Sequence, residues 1–379
     1  MTWNWQQPNW PNFTWDRDKL ARAEILFAEQ AGVVIGTTQH LDEENCEALT
    51  IEIMSGEACD TSAIEGETLD RDSVQSSIRR QLGLKADRRA GPAESGIAEM
   101  MVNLYRRLTE PLDHETLFAW HRMIMNGRRD LGDVGLYRRH ADPMQIVSGP
   151  IHRPHVHFEA PPSDRIKAEM ARFLAWFGET APSGKHPLAA VTRAGLAHIW
   201  FESLHPFEDG NGRVGRAIIE KALAQGLSRP VLTAVAGTLL KRRKDYYQAL
   251  ELASSGLDVT GWLLWFAAAM IEAQRRSLTQ IEFILNKAHL MTCAQGQMNA
   301  RQEKAVLRMF DAGPEGFLGG LSAGNYMSIT GVPSATATRD LADLVAMGVL
   351  TRTGERKATR YHLAVSLKPV APVRIEDIV

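Results

Sequence analysis

Residues 205–216 read HPFEDGNGRVGR, and nearly every position in the stretch has a physical reason for its residue type. Pro206 pushes the residue before it out of the α region and cannot donate to a helical ladder. The apolar helix that runs to about Leu204 therefore stops there and leaves His205 at its end, facing a loop. Asn211 is a good N-cap for a second helix starting at Gly212, so the loop brings backbone N–H groups and the positive end of a helix dipole to one point. Such a point binds phosphate. Gly210 and Gly212 let the backbone curve and approach an anion closely, while Arg213 and Arg216, three apart, place cations on one helix face. Asp209 supplies a hard oxygen of the kind Mg2+ uses when it also takes oxygens from a nucleotide. Two blander readings compete. A calcium loop, with Glu220 as its twelfth residue, fails because Arg213 stands at a ligand position and Val214 where that loop needs glycine. A capped helix start with a buried histidine accounts for Asn211 and Pro206, but not for two glycines, two arginines and a lone carboxylate together.

Outward from this stretch the pattern is mainly helical. Leu188, Val191, Gly195, His198, Ile199 and Glu202 fall at helical spacing in a central, mostly buried helix, with Pro187 as a suitable first residue and His198 a core histidine rather than a partner of His205. Val214, Ala217, Ile218 and Ala222 continue an apolar stripe that Gly226 ends. Met144 to Ala160 has two short β-prone runs around Gly-Pro and Arg-Pro, a hairpin pattern. His152, His155 and His157 there invite a metal reading, but no cysteine or acid completes a tetrahedral set. Further helices are expected over Asp18 to Gln30, ending in a Gly-Val-Val break, up to about Thr109, over Thr116 to Met125, over 163–177, and over Asp258 to Ala273. The polar stretch 85–96, KADRRAGPAESG, is the clearest candidate boundary. Trp3, Trp5, Trp10 and Trp15, set among prolines and amides, read as rings packed onto a neighbouring domain. The alternative is an aromatic peptide- or base-binding face. Beyond about Asn286, a helix at Ala300 to Phe310, two helices at Ser322 to Gly331 and Ser334 to Met347, and a hairpin at Val349 to Ala364 follow the order of a winged helix. Arg339, Arg352, Arg356, Lys357 and Arg360 suit phosphates, whereas Asp340 and Asp343 suit a protein partner; both readings stay open.

Composition sets outer limits. The chain has 379 residues, enough for two or three domains. With 43 basic against 45 acidic residues its net charge is -2, which argues against broad nonspecific nucleic-acid binding. Cys46, Cys59 and Cys293 are few, odd in number and far apart, so neither a disulfide framework nor a zinc site is implied and a reducing, cytoplasmic compartment is expected. No signal peptide is visible, and the most apolar run, Gly261 to Ile271, is too short for the roughly 20 residues of a membrane helix.

HPFEDGNGRVGR resembles the signature HPFx[DE]GNGRxxR of the Fic family and matches it without departure. The resemblance implies transfer of AMP from ATP to a hydroxyl of a target protein. His205 would be the base, Asp209 the Mg2+ ligand, Gly210, Asn211, Gly212 and Arg213 the phosphate cradle, Arg216 the holder of the γ-phosphate, and Phe207 a core anchor. Thr61 to Gly66 in the acidic stretch 42–72 is similar to the family's inhibitory pattern [ST]xxxE[GN], which would set Glu65 against Arg216, with Thr61 and Gly66 as its framing residues. A carboxylate there removes a phosphate ligand and repels a triphosphate. The plainer alternative is a glutamate at a helix end stopped by Gly66. Leu131 to Arg139 resembles the family's glycine, tyrosine and arginine pattern. The Met144 to Ala160 hairpin sits where Fic proteins carry a flap that receives the target as an added strand, which implicates Gln145, Ile146, Val147, His155, Val156 and His157. Tyr246 and Tyr247 match a tyrosine pair lining the adenine pocket, although Ser254 stands where relatives often carry asparagine. The Trp-rich opening resembles the N-terminal domain of unknown function that precedes the core in one branch.

The expectation is thus a mainly α protein in three parts: a Trp-rich helical domain with an inhibitory helix over 1–88, a helical Fic core with a β-hairpin flap over 89–285, and a winged helix-turn-helix domain over 286–379. Its expected reaction is adenylylation of a Ser, Thr or Tyr hydroxyl with ATP as co-substrate and Mg2+ as cofactor, restrained by Glu65. The alternatives are Glu65-dependent removal of AMP and a nucleotide-sensing DNA-binding regulator. Expected partners are ATP, a protein substrate on the flap, DNA or protein at the winged helix, no membrane, and a second copy in a possible homodimer.

Overall fold

The computed structural model describes the chain except residues 1, 39–40, 42, 87, 150–154, 228–232, 314–316, 318, 366 and 368. Its contacts divide the chain into two compact units, Met1–Arg275 with Ala371–Val379, and Arg276–Val370.

The first unit opens with the tryptophan segment and α1 (Arg17–Thr38), α2 (Glu43–Ile64), α3 (Arg71–Gln81), α4 (Pro92–Arg106) and α5 (His114–Ile124). The hairpin β1 (Gln145–Ser148) and β2 (His155–Glu159) follows, then α6 (Ser163–Glu179), α7 (Ala190–Leu204), α8 (Asn211–Leu227), α9 (Val235–Lys241), α10 (Arg243–Ala253) and, as far as Arg275, α11 (Thr260–Cys293). The Gly-Val-Val break is not there. Buried Phe27, Ala31 and Val34 keep helical spacing through it, and a side chain at Gly32 would meet nothing, so α1 runs on to Thr38. Nor does the 85–96 stretch separate compact units: α3 packs on α4 across it, and Ser76 Oγ accepts from the Arg88 N–H at 3.0 Å.

Helix α7 is the centre of this unit, buried along almost its whole length. It starts at Ala190 rather than Pro187, because Glu24 of α1 reaches over and accepts from the N–H groups of Val191 and Thr192 at 3.2 and 2.7 Å, capping the helix from another element. Gly195 lets α11 lie close: a Cβ there would stand 2.7 Å from Leu263, and Trp262 donates to the Gly195 carbonyl at 2.9 Å. The tryptophans pack as expected of rings in search of a core. Trp5 donates to the Glu159 carbonyl at 2.6 Å, and Trp10 meets Trp200 edge-on at 6.1 Å while donating to Glu169.

The hairpin is antiparallel, pairing Gln145 with Glu159 and Ser148 with His155, with a bulge between Ile146 and Val147. Residues 150–154, His152 among them, lie outside the described residues. Phe158 anchors the strand pair against Trp3, while all of β1 is exposed.

The second unit has its own core of Phe283, Val306, Met309, Phe310, Leu321, Tyr326, Leu341, Leu344 and Leu350. Helices α12 (Ala300–Phe310), α13 (Ala323–Thr330) and α14 (Ser334–Ala346) precede an antiparallel pair, β3 (Leu350–Thr353) and β4 (Arg360–Leu363). Ser322 caps α13 and Gly331 ends it in the left-handed region. Asp340 does not face outward: it is buried, accepting from Tyr326 Oη at 2.9 Å and from Arg301 at 3.2 and 3.3 Å. Among the described residues no helix is long and apolar enough to cross a membrane.

Candidate active site

The α7–α8 turn is held from outside as much as from within. His205 ends α7 in the left-handed conformation, φ 46°, and Arg138 fixes it by donating from Nε to the His205 carbonyl at 2.8 Å and from its backbone to the Pro206 carbonyl at 2.9 Å. The rest of the Arg138 guanidinium reaches Ser163 Oγ and the Pro161 carbonyl, so a buried cation is fully occupied holding three segments. His121 of α5 stacks on Phe207, ring centroids 4.1 Å apart, accepts at Nδ1 from the Gly135 N–H, and therefore presents Nε2–H to the Asp209 carbonyl at 3.1 Å. Burial pushes its pKa down to about 4, so this neutral tautomer persists at physiological pH. Glu208 accepts from the N–H groups of Gly132 and Asp133.

Asn211 has a different task from capping the helix it begins. Its side chain accepts from the Phe207 N–H at 2.9 Å and donates to the Phe207 carbonyl at 2.8 Å, closing the loop as a clasp. The first carbonyl of α8 belongs instead to Gly210, which accepts from Val214 N–H at 3.1 Å and has φ +79°. The helix's first-turn N–H groups have no acceptor within the helix and remain an anion nest.

The His205 side chain is 14% exposed, with Nδ1 buried 3.7 Å from Glu202 Oε2 and without a hydrogen bond. Burial lowers its pKa to about 4, which keeps the imidazole neutral and able to accept a proton. Glu202 itself is pushed up to about 8 by burial, so beneath the histidine sits a carboxylic acid rather than a carboxylate.

Arg216 is almost wholly buried and bound by the end of α2. Its Nε donates to Thr61 Oγ1 at 2.6 Å, and Nη2 donates to the Thr61 carbonyl at 2.9 Å and to Glu65 Oε1 at 2.7 Å. Gly66, φ +85°, turns the chain after Glu65. A Cβ on Gly212 would collide with Glu65 Oε1, so the glutamate lies directly on the nest. Arg213 is likewise held, by Glu67 at 2.9 Å. Helix α2 is itself pinned, because Glu57 accepts from the Ala236 N–H of α9 at 2.7 Å. A cavity of about 490 Å³ opens beside these groups, lined by Glu65, Glu67, Arg128, Asp209 and Arg213 among others.

Asp209 is half-buried on that cavity. Burial works to raise its pKa, but hydrogen bonds from Arg128 and the Gly210 N–H outweigh it and hold the group ionised. One ionised carboxylate next to an anion nest gives Mg2+ one protein ligand, with waters or phosphate oxygens to fill the rest of its shell, which is how that ion is usually bound.

The tyrosine pair divides. Tyr247 is 40% exposed beside the Glu65 turn, its hydroxyl 3.4 Å from the Ile64 carbonyl. Tyr246 is buried, bonded to His198 Nε2 at 2.6 Å and stacked on Trp265, so it offers no free face to a base and serves as a core support. On the hairpin, Gln145, Ile146 and Val147 are exposed, with His155 and Val156 on the paired strand. His157 bridges Ser148 Oγ at 2.6 Å and Glu251 at 3.2 Å, tying the hairpin to α10.

Residues 111–223 match the model of the Fic/DOC family, and residues 3–84 match that of a domain of unknown function, DUF4172. The chain therefore carries a Fic/DOC domain behind a DUF4172 domain. It is 34% identical over 128 residues to the protein adenylyltransferases Fic of Drosophila ananassae and Drosophila melanogaster, a match covering 32% of this chain and 24% of each relative. The matched segment thus spans about a quarter of those relatives' length. A Fic family protein from Desulfovibrio desulfuricans shares the fold with a TM-score of 0.53 and 23% identity, over 95% of this chain and 99% of its own. A Fic domain containing signaling protein from Bacteroides thetaiotaomicron does so at 0.52 and 19%, over 67% and 96%.

Proposed function

We propose that the first unit transfers AMP from Mg–ATP to a Ser, Thr or Tyr hydroxyl of a protein, and that Glu65 holds this activity down. The observation that carries the reading is the meeting, in one loop, of a neutral His205 and a helix N-terminus flanked by Arg213 and Arg216, beside an open cavity. The likeness to protein adenylyltransferases over 128 residues supports it.

In this reading the triphosphate lies on the N–H groups of α8, with Arg213 and Arg216 on its outer phosphates. The target hydroxyl oxygen attacks the α-phosphorus and the bond to pyrophosphate breaks. The hydroxyl proton passes to Nε2 of His205, whose Nδ1 faces inward. Asp209 would hold Mg2+, which neutralises charge on the phosphates. The exposed β1 edge would receive the target as an added strand, and Tyr247 would face the adenine. Because Glu65 occupies Arg216 and covers Gly212, outer phosphates cannot seat until it moves. The paired state of Glu65 favours restraint over AMP removal.

ATP labelled at the α-phosphate should mark more protein in a cell lysate with Glu65→Gly added than without it, whereas the γ-label should not rise above the lysate's own kinase background. A γ-label increment caused by the added protein would mean phosphate transfer and reject the reading. For the second unit, a winged helix with duplex DNA as partner is the companion reading. Asp340 is turned inward, leaving Arg339 exposed on α14 and Arg352, Arg356 and Lys357 exposed on the hairpin.

A further inference from the structure

The cavity beside the nest is lined by a second arginine besides Arg213, from the turn after α5. Arg128 donates from Nη1 to Asp209 Oδ2 at 2.6 Å, while its Nε and Nη2 form a two-pronged pair with Asp130 at 2.8 and 2.7 Å. The other Asp209 oxygen, Oδ1, accepts from the Gly210 N–H at 2.5 Å and lies 3.7 Å from Arg213 Nη2. Both oxygens of this carboxylate are therefore taken.

We propose that Arg128 is a metal-responsive phosphate ligand, which occupies Asp209 while the divalent cation is absent and passes to the outer phosphates of the nucleotide when the cation takes the carboxylate. This rests on reading Asp209 as the Mg2+ ligand. A divalent ion at Oδ2 would stand within a few ångströms of the guanidinium bound to the same oxygen, and the two positive charges repel. That repulsion drives Arg128 off the carboxylate. Asp130 keeps hold of its far edge, so the guanidinium pivots rather than escapes, and the space it turns within is the cavity it already lines together with Arg213. Once freed, a planar fork of donors beside an anion nest suits phosphate oxygens.

The exchange requires little force. The Arg128 and Asp209 side chains are 40% and 39% exposed, and pairs that open to water are weak. The same logic covers the two arginines of α8. Arg213 and Arg216 are held by Glu67 and Glu65, so each arginine named here rests on an acid until a nucleotide replaces it.

The test uses the full chain and Mn2+ as the probe, titrated without nucleotide and followed by the spin-resonance signal of the free ion. Arg128→Gln should bind Mn2+ about fivefold more tightly than the wild type, since a competing cation is gone. With Mn2+ saturating, the same variant should bind ATP about tenfold more weakly, since a charge-assisted phosphate contact is gone. Mn2+ binding unchanged or weakened in Arg128→Gln is what a residue that only positions Asp209 would give, and it overturns the proposal. So does unchanged ATP affinity. Asp209→Asn serves as the control: if it binds Mn2+ as the wild type does, the ion is not on Asp209 and the metal assignment fails first.

Discussion

Replacing Glu65 by glycine tests the proposed restraint through two quantities that move in opposite directions. Removing one partner of a fully buried ion pair costs about 3–5 kcal/mol because the other charge is left unsatisfied. Here Glu65 is 31% exposed and Arg216 keeps both of its bonds to Thr61, so about 1–2 kcal/mol is the scale to expect. A second glycine beside Gly66 adds roughly 0.5–1 kcal/mol of backbone entropy. A loss of about 2 kcal/mol lowers the melting temperature by roughly 4–8 °C in a unit of this size. With Mg–ATP the sign reverses. The nucleotide no longer has to displace a carboxylate from Arg216, which strengthens its binding by about the same 1–2 kcal/mol, on the order of tenfold. Thermal melts of wild type and Glu65→Gly, each with and without saturating Mg–ATP, give both numbers. The variant should melt lower alone and gain more from nucleotide. Equal gains in the two proteins would refute the idea that Glu65 competes with phosphate.

Other consequences concern the groups beneath the site. His121, His198 and His205 are held neutral by burial, at about 4, about 3 and about 4, so the unfolded chain takes up protons first as pH falls. Stability is complete above the ordinary histidine value of about 6.5 and declines toward pH 4, by up to about 1.4 kcal/mol per pH unit for each group. Acid melts of His121→Gln should lose one share of that slope. Glu202 works in the opposite direction. Raised to about 8, it stabilises fully below the ordinary glutamate range and loses that contribution as pH climbs through 8, so Glu202→Gln should gain on the wild type at pH 9 relative to pH 6. Asn211→Ala opens the clasp on Phe207 and leaves a buried N–H and carbonyl unpaired, a cost of about 2–3 kcal/mol measurable by urea denaturation.

What the sequence made legible was local. The stop at His205-Pro206, the hairpin before α6, the helix ends at Ser322 and Gly331, and the reach of α12 all follow from short-range rules about proline, glycine, caps and periodicity. Thr61, Glu65 and Arg216 do come together, although the expectation came from resemblance rather than from spacing. What escaped was set by partners distant in the chain. Glu24 capping α7, Arg138 holding the loop, His121 under Phe207 and Arg128 on Asp209 leave no periodic trace, because each acts between elements whose approach is decided by packing. Asn211 departs from expectation for a related reason: an asparagine at a helix start suggests a cap, and only the folded loop shows its amide turned back to Phe207. Tyr246 was drawn into the core by His198 on a helix some fifty residues earlier, a distance at which sequence pattern carries no signal.

The central claim is that His205 accepts the proton when AMP is moved onto a protein hydroxyl. Its most direct test compares Glu65→Gly with the double variant Glu65→Gly/His205→Ala, at equal concentration, with ATP labelled at the α-phosphate and a cell lysate as the source of targets. Labelled protein is expected with the first and none with the second, while both still bind nucleotide. Label persisting without His205 would contradict it.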